Sequence, residues 1–203
     1  MPLHAQAWQQ AGRAFGLRVS RRLIYAWEGE TGTVTAATLL KQHSRRPSRK
    51  AIRRLLDEKE HRFQQLAHRR KLQLLLVRTV RRLRRRKVPL ALVTGTSLRE
   101  VRRALPAEIR RLFQVIITGD QVRHGKPHPE PYRLAFRRLR VPPASAVVVE
   151  NAPYGIQSAR AAGAGAILAL ASSLPKRYLR GADQVVASVP ALCRVVERLA
   201  AAD

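Results

Sequence analysis

Three short polar segments of this 203-residue sequence contain residue types that can bind a phosphoryl group. The first is VTGTS at residues 93–97, where the Thr94 hydroxyl and nearby amides, that of Gly95 among them, follow an apolar run. Ser97 and Glu100 have capping-box spacing, which predicts a helix directly after this turn. Because a helix N-terminus is partly positive, the turn is a candidate phosphate site. A hydroxyl at a strand end is also commonly only a turn or cap residue.

The second segment is GKPHPEP at residues 125–131, in which three prolines restrict the backbone around Lys126. A lysine held in a fixed direction near a strand end can neutralise a phosphoryl group in its transition state. The alternative is a solvent-exposed loop lysine. His124 and His128 flank Lys126 without a partner at metal-ligand spacing in the sequence, so we interpret both as surface residues.

The third segment is VENAPYG at residues 149–155. Glu150 ends an apolar strand, Asn151 adds an amide oxygen, and Pro153 is suited to begin a helix. Oxygen ligands of these types fit Mg²⁺. The alternative is that Glu150 only caps the following helix.

The elements that must position these residues differ between the two halves of the chain. Residues 1–83 show helical spacing of apolar residues, with Ser20 and Ser48 as candidate helix caps, and no strand signal. Residues 84–203 alternate short apolar runs with helical segments, which predicts a parallel sheet with helices on both faces. The predicted strands are Pro89–Thr94, Phe113–Thr118, Ser145–Glu150, Gly165–Leu170 and Asp183–Ser188. The chemistry of such a sheet collects at the carboxyl ends of its strands.

Composition limits the functional classes. The net charge of +27 would attract polyanions, but aromatic residues are only 5% of the chain, so a stacking platform for single-stranded nucleic acid is not favoured. We expect nonspecific polyanion binding at low salt. The sequence shows no signal peptide and no span long enough for a bilayer, and it makes no prediction of oligomeric state. The single cysteine, Cys193, is expected to be a buried thiol in a cytoplasmic protein.

The order VTGTS, GKPHPE and VVVENAPYGIQSARAAG resembles motifs two, three and four of the haloacid dehalogenase-like superfamily. The similarity is greatest to the variant with a helical cap, which includes β-phosphoglucomutases and small sugar-phosphate phosphatases. The opening PLHAQAWQQAGRAFGL also resembles the first cap helix of that variant. The resemblance implies a helical cap over residues 1–83 and a Rossmann-like α/β core over residues 84–203.

The same resemblance implies roles for individual residues. Thr94 and Gly95 would bind the phosphoryl group of a small phosphorylated substrate, and Lys126 would neutralise both that group and the nucleophile. Glu150 and Asn151 would support Mg²⁺ directly or through water. Asn151 stands where the family more often has aspartate, which weakens the cation site by one charge.

One departure from the family concerns the nucleophile. The family reaction uses an aspartate and a second aspartate two residues later, in a D-x-D-G-T motif at the end of the central first strand. The present sequence contains no D-x-D triplet. We therefore expect the central first strand to be missing, Mg²⁺ binding to be weak or absent, and this chain to be catalytically inactive.

Three hypotheses remain open at this point. The chain is an Mg²⁺-dependent phosphatase or phosphomutase recorded from an incomplete reading frame, or a non-catalytic remnant that binds phosphorylated ligands or polyanions. The third hypothesis, a basic nucleic-acid-binding protein, explains the charge but not the three ordered motifs.

Overall fold

A computed structural model of the chain describes residues 2–42, 46–67 and 73–201. The sequence has basic runs at Arg45–Lys50 and Arg69–Lys71; Arg45 and the whole second run lie outside the described residues. No helix in the described ranges is long and apolar enough to cross a lipid bilayer.

The first part of the described chain is helical, as predicted. It contains α1 (Pro2–Ala14), α2 (Arg21–Ala26), α3 (Gly32–Lys41), α4 (Arg49–Ala67) and α5 (Leu74–Arg85). Their apolar stripes face one another, and the core between α1, α3 and α4 contains the buried side chains of Trp8, Leu39 and Leu55.

The predicted helix caps in this part have different outcomes. Ser48 accepts a hydrogen bond from the Ala51 amide at 3.1 Å. Ser20 occupies the N-cap position of α2, but the structure gives its side chain no capping bond within the described residues. Thr31, which was not predicted as a cap, accepts from the Val34 amide at the start of α3. The residue type at Ser20 therefore predicted the N-cap position correctly, but it did not predict whether the side chain forms the capping hydrogen bond.

All strands of the described chain lie after residue 90 and coincide with the five predicted runs. They are β1 (Ala91–Val93), β2 (Val115–Ile117), β3 (Val147–Glu150), β4 (Ala166–Leu170) and β5 (Gln184–Val186). The helices between and after them are α6 (Leu98–Ala104), α7 (Ala107–Arg110), α8 (Glu130–Leu139), α9 (Pro153–Ala161) and α10 (Val189–Leu199). The mixed α/β fold class predicted from the sequence is confirmed.

The strands form two parallel sheets rather than one. β1 pairs with β2, with Leu92 opposite Ile116, while β4 lies between β3 and β5 in the second sheet. Within the described residues, β1 and β3 each have one hydrogen-bonded neighbour. On β3 the side chains of Val147 and Val149 are 42% and 44% exposed, unusually high for valines of an apolar strand.

Helices cover both faces of the second sheet because its side chains alternate between faces. On one face, Val148 and Ile167 pack against Tyr132 and Phe136 of α8 and against residues of α9. On the other, Leu168 and Leu170 pack against α10, which contributes the buried Cys193. The predicted buried thiol and the predicted helices on both faces are confirmed.

Candidate active site

A pocket of about 600 Å³ lies at the carboxyl ends of β1 and β3 and is partly covered by residues of the helical part. The five residues that the sequence suggested for the site all line this one pocket: Thr94, Gly95, Lys126, Glu150 and Asn151. They come from three segments far apart in the chain, which meet because parallel strands end at the same edge.

Lys126 is a buried cation. Its side chain is 5% exposed, so it is not a solvent-exposed loop lysine. The Nζ atom donates to the Val93 carbonyl at 3.2 Å and to the Tyr132 hydroxyl at 3.3 Å, and it forms a short ion pair with Glu150. The ammonium thus connects the end of β1 with the end of β3, at the point where the two sheets approach each other.

Glu150 is held by three groups. Its Oε1 atom accepts from Lys126 and from the Tyr132 hydroxyl, and its Oε2 atom accepts from the Asn151 amide at 3.1 Å. Burial, followed by the negative charge of Glu150, raises the pKa of Tyr132 well above its ordinary value, so its hydroxyl remains a donor. α9 begins with Ala152 as its N-cap, so the alternative role of Glu150 as the cap of that helix is not observed.

These residues do not form a complete Mg²⁺ site by themselves. Mg²⁺ prefers octahedral oxygen coordination with one or two carboxylates, and the Glu150 carboxylate is already engaged by a cation. In the described ranges, the pocket contains no group of three acidic, histidine or cysteine ligand atoms within 4.8 Å of one another. A chemical step through Mg²⁺ would therefore need ligands beyond those that this pocket supplies.

The Thr94 turn is ordered by its own hydroxyls. The Thr94 hydroxyl accepts from the Thr96 amide at 3.2 Å and lies 3.0 Å from the Thr96 hydroxyl. A Cβ atom added at Gly95 would lie 3.1 Å from the carbonyl oxygens of Gly29 and Glu30. The position therefore suits glycine because another backbone approaches it closely.

The predicted capping box at the start of α6 is confirmed, and it reduces the number of donors available to a phosphate. The Ser97 amide donates to Glu100 at 2.8 Å, and the Ser97 hydroxyl accepts from the Glu100 amide. The Leu98 amide donates to the Asp120 carboxylate at 3.2 Å. Asp120 follows β2 and was not predicted as a site residue, although an acid two residues after a strand was visible in the sequence.

The segment after α2 closes one side of the pocket. The Glu28 carbonyl accepts from the Tyr154 amide at 3.2 Å, and Gly29 lies so close to Gly155 that a Cβ atom would be 3.0 Å from its nitrogen. Gly29 has φ +102°, a conformation that favours glycine. The helical part therefore contacts the Glu150 segment directly.

Four charged residues of the helical part line the pocket and were not predicted: Glu28, Glu30, Lys59 and Glu60. Burial raises the pKa of Glu28 from 4.5 to about 7, although the positive charge of Lys59 opposes the shift. Lys59 is 5% exposed, and its Nζ lies 5.6 Å from the centre of the Trp8 ring. The spacing of charged residues on a helix does not indicate which of them face a pocket, so sequence patterns gave no signal for Lys59.

Comparisons with known proteins agree with this architecture. Residues 1–163 match the sequence model of the haloacid dehalogenase-like hydrolases. The chain is 30% identical to the fructose-1-phosphate phosphatase YqaB of Escherichia coli over 177 residues, which are 82% of this chain and 87% of that protein. It is 39% identical over 90 residues to the phosphorylated carbohydrates phosphatase of Thermotoga maritima, covering 44% of this chain and 42% of that relative.

A solved structure extends the comparison to three dimensions. The CbbY protein of Rhodobacter sphaeroides, crystallised with phosphate, superposes with a TM-score of 0.69 at 29% identity. The superposition covers 91% of this chain and 86% of CbbY. The chain spans less than half the length of some of its curated relatives and most of the length of others.

Proposed function

Because the chain belongs to the haloacid dehalogenase-like hydrolases, we propose that its pocket binds the phosphoryl group of a small phosphorylated metabolite, with sugar phosphates as the favoured class. The observation that carries the proposal is the meeting of Thr94, Lys126 and Glu150 in one pocket at the strand ends. A cytoplasmic location remains part of this proposal.

The proposed division of roles follows from charge and hydrogen bonding. Lys126 supplies a buried positive charge, whose attraction for a phosphoryl group is stronger than that of a charge exposed to water. The Thr94 hydroxyl and the Gly95 amide donate to phosphoryl oxygens. Glu150 holds the ammonium in place through their ion pair, and Tyr132 fixes the Glu150 carboxylate in turn.

We propose further that the 203-residue sequence is catalytically inactive. A phosphoryl transfer through an enzyme intermediate needs a nucleophile, and the sequence has no D-x-D triplet to supply the family's aspartate pair. Glu150 is occupied by Lys126, Tyr132 and the Asn151 amide, so it is poorly suited to replace that aspartate. A full phosphatase or phosphomutase would require a further strand ending in D-x-D-G-T.

Two proteins test the proposal. The first is the 203-residue chain, and the second carries an in-frame N-terminal extension encoding such a strand, taken from the codons upstream of Met1. We expect hydrolysis of an aryl phosphate with Mg²⁺ from the extended protein alone. Lys126→Ala in the extended protein should raise the barrier by about 3 kcal/mol, comparable to loss of one preorganised donor. Lys176→Ala, which alters an exposed lysine outside the pocket, is the matched control.

Each alternative outcome has a definite meaning. Turnover by the 203-residue chain would show that another acid acts as the nucleophile. Inactivity of both proteins, with phosphate binding retained, would support the non-catalytic remnant that binds phosphorylated ligands or polyanions. The net charge of +27 supports the remnant hypothesis only as far as polyanion binding is concerned. Because bound polyanions would obscure the phosphate site, binding must be measured after a high-salt wash that removes them.

A further inference from the structure

The loop before α8 and the first residue of that helix carry a cluster of three metal-ligand side chains outside the pocket. One ligand atom from each of His124, His128 and Glu130 lies within 4.8 Å of the other two. Both histidines are exposed, as predicted, and the fold places the Glu130 carboxylate beside them. The sequence concealed the cluster because the turn of the loop, rather than a regular helical spacing, brings the three together.

The loop that carries these residues is fixed by hydrogen bonds. The Glu130 carboxylate accepts from the backbone amides of Arg123 and His124 at 2.8 and 3.0 Å. The His128 carbonyl accepts at 2.7 Å from the hydroxyl of Ser158, which is fully buried in α9. The cluster is therefore attached both to α8 and to α9, and binding a ligand would order few additional residues.

Two imidazoles and one carboxylate form a donor set of intermediate softness. Imidazole nitrogens favour Zn²⁺ and its transition-metal neighbours, whereas Mg²⁺ and Ca²⁺ prefer oxygen ligands alone. We propose that His124, His128 and Glu130 bind one Zn²⁺ ion, with water as the fourth ligand. The site is separate from the pocket that the proposed function uses, since none of its three ligand residues lines that pocket.

The geometry requires only a small rearrangement. Zinc bonds of about 2.0–2.1 Å in a tetrahedron place the ligand atoms roughly 3.4 Å apart, so the present separations must shorten by up to about 1.5 Å. His124 already lies 3.0 Å from Glu130 through its Nδ1 atom, and the two imidazole rings are 4.7 Å apart. The Glu130 amide donates to His128 Nδ1 at 3.2 Å, which holds that imidazole beside Glu130.

Calorimetric titration of the 203-residue chain with ZnCl₂ tests the site, after removal of any affinity tag and of bound metal. We expect one Zn²⁺ per chain at this site, and His124→Ala or His128→Ala should weaken binding about tenfold or more, since even outer-sphere partners of metal sites contribute that much. His61→Ala is the matched control, because His61 is an exposed histidine on α4 whose ring pairs with Gln65. Excess Mg²⁺ should not displace the zinc.

Ionic strength supplies an independent criterion. The chain carries a net charge of +27, which repels a divalent cation, so added salt should strengthen zinc binding by screening that repulsion. Nonspecific association with a polyanionic contaminant would weaken with added salt. The two explanations therefore predict opposite salt dependences.

Chemical modification tests the assignment in the unmutated protein, so it does not depend on how a variant folds. Zinc should protect His124 and His128 from carbethoxylation, measured by peptide mass spectrometry, while His61 remains reactive. The proposal would be overturned if the protein did not bind Zn²⁺, or if zinc protected other residues in place of these two. It would also be overturned if the two alanine variants bound Zn²⁺ with the same affinity as the wild type.

Discussion

One pocket residue whose charge changes near neutral pH is Glu28. Burial raises its pKa to about 7, so the side chain is neutral at pH 6 and largely anionic at pH 8. Lys59 and Lys126 contribute positive charges to the same pocket. The balance between these charges should therefore determine how tightly the pocket holds an anion.

We predict that sulfate binds about fivefold or more weakly at pH 8 than at pH 6, because one added negative charge near the site costs on the order of 1 kcal/mol. Sulfate is a suitable probe because its own charge does not change in this range, unlike that of phosphate. Glu28→Gln should reduce the pH dependence and should bind sulfate more tightly at pH 8 than the wild type does at that pH. Titration calorimetry at fixed ionic strength measures both proteins.

Stability provides the control for that experiment. The pKa of Glu28 is 4.5 in the unfolded chain and about 7 in the folded protein. Its contribution to the free energy of unfolding is therefore fully present below pH 4.5 and is lost as the pH rises towards about 7. The unfolding free energy of the wild type should thus fall relative to Glu28→Gln over this interval. Glu58→Gln, which alters a carboxylate paired with Arg62 outside the pocket, should leave the sulfate profile unchanged. A wild-type sulfate affinity independent of pH would contradict the raised pKa.

At the scale of elements, the junction between β3 and α9 determines the position of Glu150. A Cβ atom added at Gly155 would lie 2.1–2.3 Å from the carboxylate atoms of Glu150. The third residue of α9, in its first turn, must therefore be glycine for the carboxylate to lie over the helix start. The segment ENAPYG therefore contains both the polar groups of the site and the glycine that leaves space for the Glu150 carboxylate.

We predict that Gly155→Ala destabilises the protein by about 2 kcal/mol or more, because the added methyl group must displace a buried, ion-paired carboxylate. Helix propensity alone would favour alanine by up to about 1 kcal/mol, so the sign of the effect separates the two causes. Gly16→Ala is a comparison variant, since Gly16 has φ +70° but nothing lies within 4 Å of an added Cβ. Chemical denaturation measures the free energy of unfolding of both variants. A Gly155→Ala protein more stable than the wild type would show that the added methyl group does not overlap the Glu150 carboxylate.

The sequence predicted elements better than it predicted contacts between them. The five strands and the capping box of α6 follow from local patterns, namely short β-branched runs and the Ser97–Glu100 spacing. Thr94, Lys126 and Glu150 were found because polar residues at parallel strand ends meet at one edge. Tyr132 and Lys59 were missed, since their roles depend on how α8 and α4 are rotated against the sheet, which no local pattern specifies.

The whole molecule is organised around the space between its two sheets. β1 and β3 end at the same pocket and are bridged by Lys126, yet each has a single strand neighbour in the described chain. Leu92 of β1 and Val149 of β3 both line the pocket, which therefore extends between the strands. A parallel strand directs alternate backbone groups to its two sides, so each strand that borders this space has one unpaired side.

Amide hydrogen exchange followed by NMR tests this architecture. β4 has a hydrogen-bonded neighbour on each side, so all amides of Ala166–Leu170 should exchange slowly. Alternate amides of Val147–Glu150 should exchange on the order of a hundredfold or more faster, because only one side of β3 is paired. Equal protection of β3 and β4 would show that another strand, from a second copy or a partner, lies along β3 in solution, and dilution would then separate an association from an internal contact.

In the N-terminally extended protein, the same β3 amides should become as protected as those of β4, since a strand inserted between β1 and β3 would pair with both. Protection that stays alternating in the extended protein would show that the added segment lies elsewhere, even if the protein folds.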